Sequence, residues 1–254
     1  MKGPYYITII CLLLLTSYVK AQTKPNYDEI IAYASQELNE DSILNSFAFK
    51  LRAKAYYSKG NKTIAIKDYN SYINLNKEDW EAYYERGVIR KELEDYHGAL
   101  IDFEKSLKNT PNLSNIYFAI GETYQSIDTP TKALEFYKKA ILHDEANSKA
   151  YNNIGLIYLE KCKYEEAINY FSKAINSNSV QLNCLFNRGY AYMQMESLAK
   201  AENDLNRAYK LSPDNGYVNY YLGLLNQKKG NQEIALKYFN KALEKGISKN
   251  TFKK

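Results

Sequence analysis

Catalysis needs acids, bases, nucleophiles or metal ligands gathered at one place, and this 254-residue sequence offers few of them. Its two histidines, His97 and His143, fall in different helical stretches, without a helical partner at metal-ligand spacing, and no cysteine pair is spaced for zinc. The acid pair Glu165-Glu166 opens a helical stretch, where negative charge suits the helix dipole, so it reads as a solvated face and not as a general acid and base. No glycine-rich loop is present to cradle a phosphate. The sequence therefore predicts no catalytic residue, no metal site and no cofactor. It is rich instead in recognition chemistry: asparagine amides that both donate and accept hydrogen bonds, and 26 tyrosines with rigid amphipathic rings.

The elements that would position these groups follow from a period. Glycine recurs at Gly87, Gly121, Gly155, Gly189 and Gly223, each 34 residues after the last. Alanine keeps the same step at Ala65, Ala99, Ala133, Ala167, Ala201 and Ala235. A fixed period of this size means stacked helix-turn-helix units, each unable to bury its apolar face alone. Six repeats result, at 46–79, 80–113, 114–147, 148–181, 182–215 and 216–249. Four residues after each alanine stands Tyr69, Phe103, Tyr137, Phe171, Leu205 or Phe239, on the same helix face. Ala140, Ala174, Ala208 and Ala242 follow at the next inward position.

Turn chemistry marks the middle of each repeat. Gly60 and Gly230 stand where a left-handed residue ends a helix, and Asn61, Asp95, Thr129, Ser197 and Asn231 are predicted N-caps of the second helices. The fourth repeat has Lys163 at that place, an exception to the pattern. Pro130 suits the first helical position after Thr129. Ahead of the first repeat, the spacing of Tyr27, Ile30, Ile31, Ala34 and Leu38 predicts one extra helix, capped by Asn26, that closes the open end of the stack.

The pattern resembles the tetratricopeptide repeat, a 34-residue helix-turn-helix unit with small residues near positions eight and twenty and an aromatic near twenty-four. Here position eight is glycine in five repeats and Ala53 in the first, and position twenty is always alanine. The resemblance implies an all-α, right-handed α-solenoid that binds another protein or an extended peptide. It also implies a concave groove lined by the first helices. In repeats four to six that groove carries Lys149 and then Asn152, Asn153, Leu156, Phe186, Asn187, Tyr190, Tyr217, Tyr220 and Tyr221, a set dominated by asparagine, tyrosine and aliphatics. In the first two it carries Lys50, Lys54, Glu81, Tyr84, Glu85 and Val88, a charged one. The lysine and asparagine clamp with which some relatives hold an acidic chaperone tail is missing, since Lys50 and Lys54 are followed by Glu85. Carbohydrate or cell-wall binding by the exposed tyrosines is the alternative reading, and part of the tyrosine set packed between neighbouring helices is the plainer one.

The N-terminus reads as a secretory signal. Lys2 precedes an apolar run from Tyr5 to Val19, and Val19-Lys20-Ala21 offers a small-residue cleavage site after Ala21. An uncleaved anchor is the other reading, although the run falls short of the roughly 20 residues a membrane-spanning helix needs. Removing residues 1–21 takes away two lysines and no acid, leaving 32 basic against 29 acidic side chains, a net +3. So small and mixed a charge does not call for nucleic acid. The expected protein is thus exported, periplasmic or envelope-associated, with residues 22–45 as linker and capping helix and 250–254 as a basic tail. Cys162 falls at a turn and Cys184 near the start of the next parallel helix, too far apart to bridge, so both are predicted to be free thiols.

Overall fold

The computed structural model describes residues 25–38, 45–108, 110, 113–177 and 181–248. The signal segment, Cys11, Pro111, Lys249, Lys253 and Lys254 lie outside them. Among the described residues there are thirteen helices and no strand. Five belong to a first compact body that ends at residue 109: α1 (Tyr27–Glu37), α2 (Asn45–Ser58), α3 (Lys62–Leu75), α4 (Trp80–Glu92) and α5 (Tyr96–Ser106). Eight belong to a second: α6 (Leu113–Ser126), α7 (Pro130–His143), α8 (Ser148–Glu160), α9 (Tyr164–Asn176), α10 (Gln181–Gln194), α11 (Leu198–Leu211), α12 (Gly216–Lys228) and α13 (Gln232–Glu244). Within each body every helix packs on the helix before it and the helix after it, so the fold is an all-α solenoid of helix-turn-helix repeats. The extra helix α1 packs on α2, and the Asn26 side chain caps it by accepting from the backbone N–H groups of Asp28 and Glu29.

The two small-residue series have separate tasks. The position-twenty alanines from Ala65 to Ala201 are fully buried, and Ala235 nearly so. Each glycine is a socket for the large residue sixteen places later on the facing helix. A methyl group on Gly155 would lie 2.6 Å from the Phe171 ring, and one on Gly223 would lie 2.4 Å from Phe239. Gly87 faces Phe103, Gly121 faces Tyr137 and Gly189 faces Leu205 in the same way. A ring pressed onto bare backbone buries much apolar area without parting the helices, the arrangement that overpacking destroys.

A second pairing at the same sixteen-residue spacing is polar. Arg52 binds Asp68 with two hydrogen bonds, of 2.8 and 2.7 Å, Arg86 binds Asp102 with 2.9 and 2.6 Å, and Arg188 binds Asp204 with 2.7 and 2.8 Å. Each guanidinium also reaches back to the preceding repeat or cap, to Ser35, Asn70 and Ser172 respectively. One planar fork therefore ties three helices together, a task that suits arginine and not lysine. In repeats three, four and six the same two positions are apolar: Ile120 with Phe136, Ile154 with Tyr170, and Leu222 with Tyr238.

The central turn is one motif used six times. Gly60, Glu94, Asp128, Cys162, Glu196 and Gly230 all have positive φ, between 54° and 83°. The N–H of each bonds the carbonyl three residues back, and the next N–H bonds the carbonyl five back, as Lys163 does to Tyr158 at 2.9 Å. This double bond pattern closes the first helix and satisfies its last carbonyls. It also corrects the capping expectation. Of Asn61, Asp95, Thr129, Ser197 and Asn231, only Asp95 accepts from a helix N–H, that of Gly98 at 3.0 Å. Residues at this place are held by the turn at ψ between 59° and 74°, and four of the five polar ones make no side-chain cap bond, so Lys163 is no exception among them. True caps precede first helices instead: Asp79, Asn147 and Asn215 each accept from the helix that follows. Pro130 takes the first helical turn of α7, as its sequence predicts.

Cys162 and Cys184 are both free, the first exposed and the second buried. Burial pushes the Cys184 thiol up to about 11, whereas only a thiolate is nucleophilic. Iodoacetamide at neutral pH is therefore expected to label Cys162 in the folded chain and Cys184 only after denaturation. Peptide mapping by mass spectrometry checks this, and native labelling of Cys184 would contradict the packing described.

Candidate partner-binding surface

In the second body the first helices of repeats four to six lie side by side, with α10 touching both α8 and α12. They carry all nine uncharged residues predicted for the groove, and the structure sorts these by depth. Asn152, Phe186 and Asn187 are buried. Asn152 spends its amide inside the protein, accepting from the Cys184 thiol at 3.3 Å and donating to Asn153 Oδ1 at 3.3 Å. Asn153 is half-buried and donates to the Tyr137 hydroxyl at 3.0 Å, which in turn donates to Gln125 at 2.7 Å. The asparagines therefore brace neighbouring helices. Leu156, Tyr190, Tyr220 and Tyr221 are half-buried, and Tyr217 is 53% exposed.

The aromatic members form one connected tier. Phe186 stacks on Tyr221 at 5.5 Å and on Tyr217 at 6.2 Å, Tyr221 meets Tyr190 and Tyr220 at 5.4 Å each, and Tyr220 meets Phe239 at 6.1 Å. Such offset pairs add to simple area burial and hold the rings still. Burial, with the neighbouring tyrosines, pushes the Tyr221 hydroxyl up to about 12, so it stays neutral at physiological pH. The tier is thus rigid, uncharged and open to water at Tyr217.

The corresponding helices of the first body, α2 and α4, present the charged face their sequence predicts. Lys50 bonds Asp79 at 2.9 Å and Glu81 at 2.5 Å, and Lys54 bonds Glu85 at 2.8 Å. Burial opposes the charge on Lys50, but the bonds to Glu81 and Asp79 outweigh it and hold its pKa above the ordinary lysine range. The same bond from Lys50 holds Glu81 below the usual carboxylate range. Among the described residues no group of histidine, cysteine, aspartate and glutamate side chains is placed to hold a metal ion, and no helix is long and apolar enough to cross a membrane. His97 and His143 are exposed, and His143 stacks on Tyr117 at 5.4 Å.

Sequence profiles of the tetratricopeptide repeat match residues 50–114, 114–147, 148–178 and 183–215. The chain belongs to the tetratricopeptide-repeat family. Members of this family are in general non-catalytic scaffolds for protein interactions. Helices α12 and α13 lie beyond the matched residues yet keep the same glycine socket and central turn. Among curated relatives, TPR repeat-containing protein MJ1428 of Methanocaldococcus jannaschii is 42% identical over 60 residues, which are 24% of this chain and 11% of that protein. The uncharacterized protein ycf37 of Guillardia theta is 32% identical over 93 residues, 35% of this chain and 52% of that one. The matched segments thus cover at most about half of these relatives. The crystal structure of MamA is 28% identical, with a TM-score of 0.56, over 66% of this chain and 97% of that one.

Proposed function

We propose that the chain is a non-catalytic scaffold whose helices α8, α10 and α12 hold an extended, largely uncharged segment of a partner protein. The observation that carries this reading is the tier of stacked rings that ends at the 53%-exposed Tyr217. Tyrosines already ordered by stacking lose little freedom on binding, which is why such residues dominate binding energy at interfaces. None of the nine residues is charged, so a charged partner segment would lose its hydration without a counter-ion. With Asn152 and Asn187 buried, contact falls to the tyrosines and Leu156. The pattern of Lys2, the apolar run and Val19-Lys20-Ala21 supports export, and hence a partner in the cell envelope.

The test is to place a photo-crosslinking residue at Tyr217 in cells and, as a control, at Lys138 on a second helix. A discrete crosslinked polypeptide is expected from Tyr217 and absent from Lys138. Equal crosslinking at both positions, or none at Tyr217 in the cells that make the protein, overturns the assignment. Tyr217→Ala is expected to weaken the recovered complex at least tenfold with an unchanged melting temperature.

A further inference from the structure

The first body contains a pocket of about 350 Å³ that the aromatic tier does not share, lined by Lys54 and Tyr57 of α2, Tyr69 of α3, and Tyr84, Glu85 and Val88 of α4. That volume lies in the range of small-ligand sites, which are mostly apolar with a few placed polar groups. Its hydroxyls are largely spoken for. Tyr69 donates to Glu85 at 2.9 Å and Tyr57 donates to Glu92 at 2.7 Å. Burial and that bond push the Tyr57 hydroxyl up to about 12, so it remains a donor. Rings and aliphatic carbon therefore bound most of the space, with one carboxylate, Glu85, at its wall.

We propose that this pocket binds an ammonium group on an apolar stem, as on a lysine side chain, with Glu85 as its counter-ion and Lys54 as a built-in competitor. Lys54 now occupies that place. Its ammonium is 2.8 Å from Glu85 and 3.6 Å from Glu81, while its side chain is 44% exposed. The neighbouring cations differ, since Lys50 is locked between Asp79 and Glu81 with a side chain 14% exposed, and Lys62 is paired with Glu92 at 3.1 Å. Half-exposed ion pairs contribute little, so Lys54 leaves Glu85 for water at small cost. An incoming ammonium restores the pair, and its stem meets the rings of Tyr57 and Tyr84, where cations are attracted. An anion is disfavoured. It would draw Lys54 away and leave a mostly buried carboxylate, 24% exposed, with only the Tyr69 hydroxyl. This site is separate from the surface of α8, α10 and α12, and either stands without the other.

The experiment is an NMR titration of the full chain with N-acetyl-lysine methylamide and with the norleucine analogue, which keeps the stem and lacks the charge. The lysine probe is expected to shift the amides of Tyr57, Tyr84 and Val88, and the norleucine probe to leave them in place. Lys54→Met is expected to tighten the lysine probe about tenfold by removing the competitor, a gain that a damaged fold does not give. Glu85→Gln is expected to abolish it. Equal shifts from norleucine, weaker or unchanged binding in Lys54→Met, or full binding in Glu85→Gln each overturn the proposal.

Discussion

Asp102→Phe is expected to destabilise the first body by about 3–5 kcal/mol, while the double substitution Arg86→Ile with Asp102→Phe is expected to return it to within about 1 kcal/mol of the parent. The single change strands a charge. Asp102 is fully buried and Arg86 nearly so, and their two hydrogen bonds of 2.9 and 2.6 Å satisfy both ions. Taking away the carboxylate leaves a guanidinium out of water with only Asn70, at 2.6 Å, to accept from it. The double change copies what the chain itself does in the third repeat, where Ile120 and Phe136 hold the corresponding positions. A buried ion pair gives back most of its attraction as desolvation, so a well-packed apolar pair serves equally. Arg86→Ile alone is expected to cost less than Asp102→Phe alone, because Arg90 also contacts Asp102, at 3.0 Å, and remains as its partner. Urea unfolding of the four proteins checks this cycle. Additive losses, with the double variant as weak as the two singles combined, would show that the pair stabilises in a way no apolar pair can replace.

The same pair shows what could be read beforehand. Gly87 to Gly223 and Ala65 to Ala235 announced the fold because a close helix contact leaves only one or two residue types possible, so the constraint is written in the residues themselves. Arg52 with Asp68, Arg86 with Asp102 and Arg188 with Asp204 were equally legible in spacing, each sixteen apart, but arginine and aspartate read as solvated side chains until their partners are seen. The candidate surface was legible by face and not by depth. Position within a repeat placed Asn152, Phe186 and Asn187 toward the first-helix side, whereas the approach of α8, α10 and α12 buries them and leaves Tyr217 outside. That approach depends on side chains from three repeats at once, which no single repeat encodes. The pocket of the first body was legible in part for the same reason: Lys54, Tyr84, Glu85 and Val88 share the first-helix side, whereas Tyr69 joins them only because α3 brings it up to Glu85.

The left-handed turn offers the reverse case, a constraint the residue types do not record. Gly60 and Gly230 advertise it, but Glu94, Asp128, Cys162 and Glu196 adopt the same backbone, with φ of 64°, 54°, 55° and 55°. For a residue with a Cβ that conformation costs roughly 1–2 kcal/mol, less for aspartate, whose short polar side chain tolerates it. Glycine removes the strain and adds back about 0.5–1 kcal/mol of unfolded-state entropy. Glu94→Gly and Cys162→Gly are thus each expected to stabilise by about 1 kcal/mol, and Asp128→Gly by less. Glu196→Gly is left out of the set, because it also removes the exposed Lys228 ion pair at 2.6 Å and so changes two things at once. The three useful changes lie in separate turns and their effects are expected to add, giving about 2 kcal/mol and a melting temperature higher by roughly 4–8 °C. Stability in a repeat array is a sum of local terms and interfaces between neighbours, so strain relieved in a turn appears in the whole. Thermal unfolding of the triple variant decides the matter. An unchanged or lower midpoint would mean that these three residues hold the turn by side-chain contacts worth as much as the strain they bear.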